Sequence, residues 1–372
     1  MIFDGHAYCL PDLSGAGGFE DQADFRRHLQ LATAGMGHSL PPWRASDRAC
    51  ADTSGLADLS KGWGFAALKD AEFRPGTHGR FEWTVKGDDY VKQLLPPGIA
   101  AMSYSAENLV ADMDYAGIDR ALLQRTPYLG IGNDFVAECA RMFPDRIQAL
   151  AHVEEWLIVA DMRTSIDKVD GAFGELGLSG LQFLPMFLDL KGDGGDWAGP
   201  AFKPFWDAVA KHDVPVFFTL GPRSGSGVDG YVAELQALQQ WCERYPDISV
   251  VLTHGFSWRD FRHGDSMSLP EALLDAAPID RPNVYLQLVL SVTLGARWAY
   301  PMPQFHNTLG LLVDRFGVET FMWGSDQPFE TLHYTYRQCL DQIRGYVDIL
   351  GNDGVDAIIG GNMARLMSEV NK

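Results

Sequence analysis

Basic residues, paired cysteines and long apolar runs are scarce in this sequence. Against 49 Asp and Glu there are 30 Lys and Arg in 372 residues, which gives a net charge of −19. This charge would repel a nucleic-acid backbone or an anionic membrane, so we exclude both as partners. The five cysteines form no CxxC pair, which argues against a disulfide framework or a cysteine zinc site and indicates a reducing compartment.

Membrane and common cofactor signatures are also absent. No run of eighteen apolar residues occurs, and the opening MIFDGHAYCL lacks a basic segment followed by a long apolar core. We therefore expect no membrane span, no secretory signal and a cytoplasmic location. The sequence has no GxGxxG after a first strand, no GxSxG elbow and no P-loop. Dinucleotide, serine-hydrolase and phosphate-loop chemistries are accordingly disfavoured.

The most informative stretch that is present is FMWGSDQPF, residues 321–329. Its apolar run stops at Gly324 and is followed by Ser325 and Asp326. This order is typical of a buried parallel strand whose carboxyl end faces a ligand. Asp326 is therefore the first candidate functional residue. From this segment alone, a role as helix cap remains an alternative.

Similar apolar runs recur along the chain. The predicted strands are residues 1–3, 121–124, 147–151, 181–184, 215–218, 248–252, 284–290 and 320–323, and helical patterns at 133–142, 162–175, 202–212, 232–245 and 308–316 separate most of them. Eight alternating units predict an α/β fold, a (β/α)8 TIM barrel with its site at the carboxyl ends of the strands. An open doubly wound sheet is the alternative.

Residues 10–102 have a different texture. Glycine and proline occur too often for long helices, apart from residues 22–34, and aromatic residues are spread among polar ones. So many aromatic side chains need a surface to pack against. We interpret this segment as a cap inserted over the barrel mouth, within a single domain of residues 1–372. A mobile surface excursion is the alternative.

Several segments, taken in order, resemble one known family. DGH, ENLVADMDYAGIDRALLQ, VVLTHGF, WGSDQPF and the closing IIGGNMARLM are similar to the amidohydrolase-related group of the amidohydrolase superfamily. That group includes aminocarboxymuconate-semialdehyde decarboxylase, resorcylate decarboxylases and pyrone-dicarboxylate lactonase. The resemblance covers the first strand and the chain from about Tyr104 onward, and it implies a barrel enzyme, often dimeric, of the hydrolase or carboxy-lyase type.

The resemblance implies a metal-ligand pattern that this sequence keeps only in part. His6 matches the first residue of a His-x-His pair, His254 the histidine after strand six, and Asp326 the aspartate after strand eight. Tyr8 and Thr219 stand where two further histidines belong.

Phenol and alcohol oxygens are feeble zinc ligands compared with imidazole. We therefore expect no metal cofactor. If a divalent metal such as zinc or manganese binds, His6 and Asp326 are its expected ligands, and His152 or Glu154 could in principle replace a missing one.

The residues that remain can support hydrolysis without a metal. Asp326 would act as general base on water, while His254 or His6 would polarise or protonate the oxygen on which charge develops. The alternative for His254 is a buried histidine bonded to a backbone carbonyl. Two roles remain possible for the Tyr8 side chain: a hydrogen bond to the substrate, or packing under the cap.

Arginines near strand ends indicate an acidic substrate. Arg125, Arg223 and Arg259 follow the second, fifth and sixth strands, and a guanidinium can grip a carboxylate with two hydrogen bonds. We predict substrate contacts for Arg125 and Arg223, and surface ion pairing for Arg259. The same predicted substrate-binding set includes Tyr8, His152 and Thr219.

Three functions compete at this point. The leading hypothesis is a metal-independent or metal-weak hydrolase that opens a lactone-like, carboxylated ring ester or amide. A metal-dependent decarboxylase of an aromatic or dienoic acid is second, and a non-catalytic barrel that binds a small molecule is third. The expected partners are a small carboxylated substrate and a second copy of the chain, through helix faces near residues 334–346.

Overall fold

The computed structural model describes residues 1–36, 40–192, 194–221, 223 and 227–369. Within them, eight parallel strands form a barrel: β1 (Phe3–Ala7), β2 (Arg120–Leu123), β3 (Ile147–Ala149 and Ala151–His152), β4 (Leu181–Phe183), β5 (Val216–Phe218), β6 (Val250–Leu252), β7 (Val284–Leu288) and β8 (Phe321–Trp323). Neighbours pair in chain order. The ring closes beyond β8, where Asp326 N donates to His6 O and Tyr8 N to Gln327 O, both at 2.8 Å. The predicted TIM barrel is confirmed.

Helices connect the strands as the sequence pattern predicts. They are Gln22–Gly35, Ala106–Ala116, Asn133–Met142, Met162–Gly174, Lys203–Ala210, Gly227–Arg244, Glu271–Ala276, Ser291–Leu294, His306–Phe316, Tyr336–Arg344, Val347–Asp356 and Asn362–Glu369. Ser105 caps the second of these by accepting a hydrogen bond from Asn108 N, and Gly117 ends it in the left-handed conformation at φ 75°. In the part of the chain that the structure describes, no helix has the length and apolarity needed to cross a membrane.

A buried layer of apolar side chains fills the barrel. Its members come from six of the strands, from the break between the two segments of β3 and from the last helix: Phe3, Leu122, Leu150, Phe217, Val251, Tyr285, Met322, Met363, Leu366 and Met367. Because side chains alternate along a strand, the neighbouring positions face outward and pack against the helices in a larger cluster. The last helix adjoins the start of β1, so it covers the amino-terminal end of the barrel. The carboxyl-terminal end of the barrel is therefore the end available for a functional site.

The described part of residues 10–102 forms an insertion between β1 and the helix Ala106–Ala116. It contains the predicted helix, observed over Gln22–Gly35, and an antiparallel sheet with the strand order Trp43–Arg44, Asp88–Gln93, Arg80–Val85 and Arg74–Pro75. Leu10 and Tyr104 exchange backbone hydrogen bonds of 2.8 and 3.0 Å. The insertion therefore leaves and rejoins the barrel at one point.

The first strand lies later than the sequence predicts. The prediction placed it at residues 1–3, whereas β1 runs over Phe3–Ala7 and contains His6. The polar residues of this strand are buried because they have partners. Asp4 accepts hydrogen bonds from Ser325 N at 2.9 Å, from Ser325 Oγ at 2.6 Å and from Tyr336 OH at 2.6 Å. A satisfied polar group can occupy a buried strand, so polarity did not mark the end of this one.

Candidate active site

A cavity of about 1250 Å³ lies at the carboxyl ends of the strands. Its wall combines residues that follow barrel strands with residues of the insertion. The strand ends contribute Thr126, Gln182, Thr219, His254 and Asp326, among others, and the insertion contributes the continuous run 61–66. The position agrees with the end of a TIM barrel at which active sites occur.

Asp326 follows β8 in an unusual backbone conformation. Its φ of 74° lies in the left-handed region, which non-glycine residues rarely adopt and which is often found at functional sites. Its Oδ1 atom is buried and accepts no hydrogen bond among the described residues. Burial raises the pKa of this carboxyl to about 7, and nearby His254 opposes that shift. Asp326 can therefore exchange a proton near neutral pH.

His6 lies behind Asp326 and does not line the cavity. Gln287 Nε2 donates to Gly5 O at 2.7 Å, so its Oε1 is left to accept from His6 Nδ1 at 2.8 Å. The other nitrogen, Nε2, then accepts from the Tyr8 hydroxyl at 3.0 Å and lies 3.2 Å from Asp326 Oδ1. Burial lowers the pKa of His6 to about 4, so the ring is neutral at pH 7. The lone pairs of His6 Nε2 and Asp326 Oδ1, 3.2 Å apart, repel each other unless a proton or a cation lies between them.

His254 follows β6 and faces the cavity. It too has a left-handed backbone, with φ 57°, and its ring packs edge-on against His6 at a centroid distance of 4.5 Å. Its Nε2 lies 3.9 Å from Asp326 Oδ1, too far for a direct hydrogen bond. Burial and the neighbouring His6 lower the pKa of His254 to about 4. We call His6, His254 and Asp326 the trio.

The trio could hold a divalent metal ion, because one ligand atom of each side chain lies within 4.8 Å of the other two. Tyr8 and Thr219, which occupy the two remaining positions of the family's ligand pattern, would be poor metal ligands. Burial raises the pKa of the Tyr8 phenol and so disfavours the phenolate, and the Thr219 hydroxyl is paired with that of Thr253 at 2.5 Å. The residues present thus fit an open site with three protein ligands better than one with four.

Tyr8, Thr219 and Arg223, from the predicted substrate-binding set, line the cavity. However, the Arg223 guanidinium forms a two-pronged pair with Asp189, at 2.7 and 2.8 Å, which neutralises its charge. Arg259 also lines the cavity, 3.8 Å from Asp260. Arg223 is therefore a weaker anion ligand than the sequence suggests.

The other two members of that set lie outside the cavity wall. Arg125 is fully buried, and its Nη1 donates to Leu129 O at 2.6 Å. His152 is buried as well, with Nε2 at 3.1 Å from Glu155 Oε2. Glu154, considered as a substitute metal ligand, pairs with Lys168 instead. These positions do not support direct substrate contact by Arg125 or His152.

The lining residues that were missed at the sequence level include three polar residues near the ends of β2 and β4. Thr126 and Tyr128 follow β2, and both side chains line the cavity. Gln182 lies in β4, where its side chain accepts a hydrogen bond from Arg125 N. A glutamine inside the apolar run GLQF was a usable signal, because a central barrel strand has few reasons to carry one.

Fold and geometry thus define a TIM barrel with candidate acid–base groups at its strand ends. Residues 78–367 match the family described as Amidohydrolase, and the chain belongs to this family. The resemblance seen in the sequence is confirmed at that level. β1 and His6 precede the matched segment. No curated protein matches the chain.

Solved structures share the fold. An amidohydrolase from Burkholderia multivorans with bound HEPES is 16% identical, with 73% of this chain and 91% of that one covered and a TM-score of 0.55. A probable 2-pyrone-4,6-dicarboxylic acid hydrolase from Acinetobacter baumannii with bound citric acid is 16% identical, with 72% and 90% covered and a TM-score of 0.50. An uncharacterised TIM-barrel protein from Bordetella bronchiseptica is 19% identical, with 72% and 84% covered and the same score of 0.50.

Proposed function

We propose that this chain is a hydrolase that opens a lactone-like ring ester or amide carrying a carboxylate. The observation that carries the proposal is the Asp326 carboxyl, buried and without a hydrogen bond at Oδ1 in the described part of the chain, yet facing a large cavity beside His254. Its raised pKa suits a general base that must take and return a proton near pH 7. The resemblance to the lactonase branch of the family supports the choice of ring substrate.

In the proposed reaction, a water molecule binds between Asp326 and His254, whose 3.9 Å separation lets one oxygen reach both at ~2.8 Å. Asp326 takes a proton from this water as its oxygen attacks the ring carbonyl. As the new C–O bond forms, the neutral imidazole of His254 transfers its hydrogen bond from the water to the carbonyl oxygen, which becomes negative. The ring C–O or C–N bond then breaks, and Asp326 returns its proton to the leaving atom. His6 lies behind the carboxyl, and the Tyr8 hydroxyl donates to His6 Nε2 rather than to Asp326.

The direct test is turnover of a panel of carboxylated lactones by the wild-type protein and by Asp326→Asn. We expect Asp326→Asn to lower kcat/KM by about 10²–10⁴-fold, the usual contribution of a general base. Asp314→Asn removes a charge from an exposed helix position and serves as the matched control, with unchanged kcat/KM. Equal activity of all three proteins would refute the role of Asp326.

A second candidate, a metal-dependent carboxy-lyase acting on an aromatic or dienoic acid, is favoured by the spacing of the trio. Here the trio would hold a metal that supplies Lewis-acid chemistry. We expect instead little zinc or manganese by mass spectrometry and unchanged lactone hydrolysis after chelation. Loss of activity on chelation, with carbon dioxide release restored by added metal, would replace our proposal with this one. A ligand that binds Asp326→Asn normally and is never converted would indicate a non-catalytic barrel.

A further inference from the structure

The cavity extends well beyond the trio into the insertion. Six consecutive residues, 61–66, line it, and Arg27 and Met36 lie on the same side. Its volume of about 1250 Å³ exceeds the roughly 300–1,000 Å³ of ordinary small-molecule pockets. A single ring placed against the trio would leave most of this volume empty. The insertion side therefore has room for a further part of the substrate.

The cations on this side are held in a different way from Arg223, which Asp189 neutralises. Lys191 Nζ lies 6.0 Å from the centre of the Trp156 ring, and the Arg27 guanidinium lies 4.2 Å over Phe65. An aromatic face holds a cation without cancelling its charge.

The carboxylates near these cations are few. Arg27 has a single long contact of 3.6 Å with Asp24, a pair that is largely exposed and therefore weak. Lys61 and Lys191 form no salt bridge with a carboxylate among the residues that the structure describes, and Asp58 interacts with Lys61 only at longer range. In a chain with a net charge of −19, positive charge left available at one cavity wall is a specific feature. It favours an anionic group at that wall.

Trp63 gives the same wall a flat, fixed face. A Cβ added at Gly35 would lie 1.9 Å from the Trp63 ring, so the indole packs directly on the end of the insertion's helix. A Cβ added at Gly64 would lie 2.9 Å from Asp189 O, so the turn also packs closely on the loop after β4. An aromatic ring fixed on both sides is suited to contact with a planar apolar group.

We propose that residues 61–66, with Arg27 and Lys191, form a second subsite for a planar, anionic distal group of the substrate. The inference rests on the proposed function, since it extends the same site and names the substrate class more narrowly. The substrate is then an elongated molecule whose ring ester lies at Asp326 and whose far end carries a second negative charge. Selectivity for it resides in the insertion and in Lys191 of the loop after β4, rather than in Arg223.

The test measures binding without turnover, by isothermal titration calorimetry with naphthalene-2,6-dicarboxylate and its uncharged diamide. Replacing both lysines, as Lys61→Gln with Lys191→Gln, should raise the Kd of the dicarboxylate about five- to twenty-fold and leave that of the diamide unchanged. Trp63→Leu should weaken both probes. Lys211→Gln, which removes a charge from an exposed helix end, is the control and should change neither.

An unchanged dicarboxylate Kd in the double variant, or no binding of the dicarboxylate to the wild-type protein, would overturn the subsite. The result does not depend on catalysis. Failure of the lactone assay with intact lysine effects would reject only the proposed reaction, whereas active hydrolysis without lysine effects would reject only the subsite.

Discussion

The protonation state of Asp326 should control the pH dependence of the proposed reaction. Its pKa is raised to about 7 from the usual 3.8, so below pH 7 the carboxyl keeps its proton and cannot act as a base. The pKa values of His6 and His254, both lowered to about 4, leave the two rings neutral from pH 5 upward. We expect kcat/KM for lactone hydrolysis to rise with pH and level off above about 7. A profile measured from pH 5 to 9 that is flat throughout would contradict this.

A second residue-scale prediction concerns His28, a buried histidine of the insertion's helix. Its two ring nitrogens have no partner in the described part of the chain, and Phe19, Phe65 and Trp156 surround the ring at 4.5 to 4.9 Å. Burial, with a smaller effect of Lys191, lowers its pKa to about 3 from 6.5. As the pH falls, the unfolded chain therefore binds a proton at His28 before the folded chain does. The free energy of unfolding decreases as the pH falls below 6.5.

His28→Phe should remove that loss. The drop in free energy of unfolding between pH 7 and pH 4.5, from urea titrations, should shrink by about 2 kcal/mol. His306→Gln is the control with opposite sign. Asp348 raises the pKa of this exposed histidine, so it stabilises the fold below pH 6.5, and its removal should enlarge the drop. Identical pH dependence in wild type and His28→Phe would show that the ring is not held neutral.

At the residue scale, sequence reasoning located candidate groups at the ends of strands. Asp326 and His254 were chosen from their positions after apolar runs, and the structure brings them to the cavity 3.9 Å apart. Their catalytic role remains a prediction. Arg125 was misplaced because a strand end says nothing about which way a long side chain turns. Likewise, the neutralisation of Arg223 by Asp189 joins residues 34 positions apart and leaves no local signal.

At the scale of elements, Asp4 joins the first and last strands. Its carboxylate accepts from His6 N at 3.0 Å as well as from Ser325 and Tyr336. Asp4→Asn replaces one acceptor oxygen with a donor, so at least one buried partner is left unpaired. We expect a loss of about 1–3 kcal/mol in the free energy of unfolding by urea. Tyr336→Phe deletes one of these hydrogen bonds and should cost less; a larger loss in Tyr336→Phe would contradict this view of Asp4.

Long helices and barrel strands were predicted from the sequence, whereas the short strands of the insertion were not, and the difference has a physical reason. Long buried strands and amphipathic helices repeat a signal over many residues, and Asn133–Met142 agrees with its prediction at both ends. The sheet of the insertion was missed because two of its strands, Trp43–Arg44 and Arg74–Pro75, are only two residues long. Such strands are defined by their partners across the sheet, which no short window of sequence contains.

The whole molecule carries a net charge of −19, and this charge should limit its stability. Repulsion among like charges favours the expanded chain, and salt screens it. We expect the Tm at pH 7 to rise between ~10 mM and ~200 mM sodium chloride, over which the screening length falls from tens of ångströms to less than ten. The same change near the isoelectric point of about 4.8 should have a much smaller effect. Equal salt effects at the two pH values would refute this explanation.

The backbone bridge between Leu10 and Tyr104 has a consequence for how this molecule can change. Because the insertion begins and ends at adjacent points, its length and content can vary without moving the ends of β1, β6 or β8. The groups proposed for bond cleavage therefore lie on the barrel, whereas those proposed to choose the substrate, apart from Lys191 in the loop after β4, lie on a separately exchangeable part of the chain. A graft of another insertion at this junction would redirect the barrel to new compounds while its reaction stayed the same.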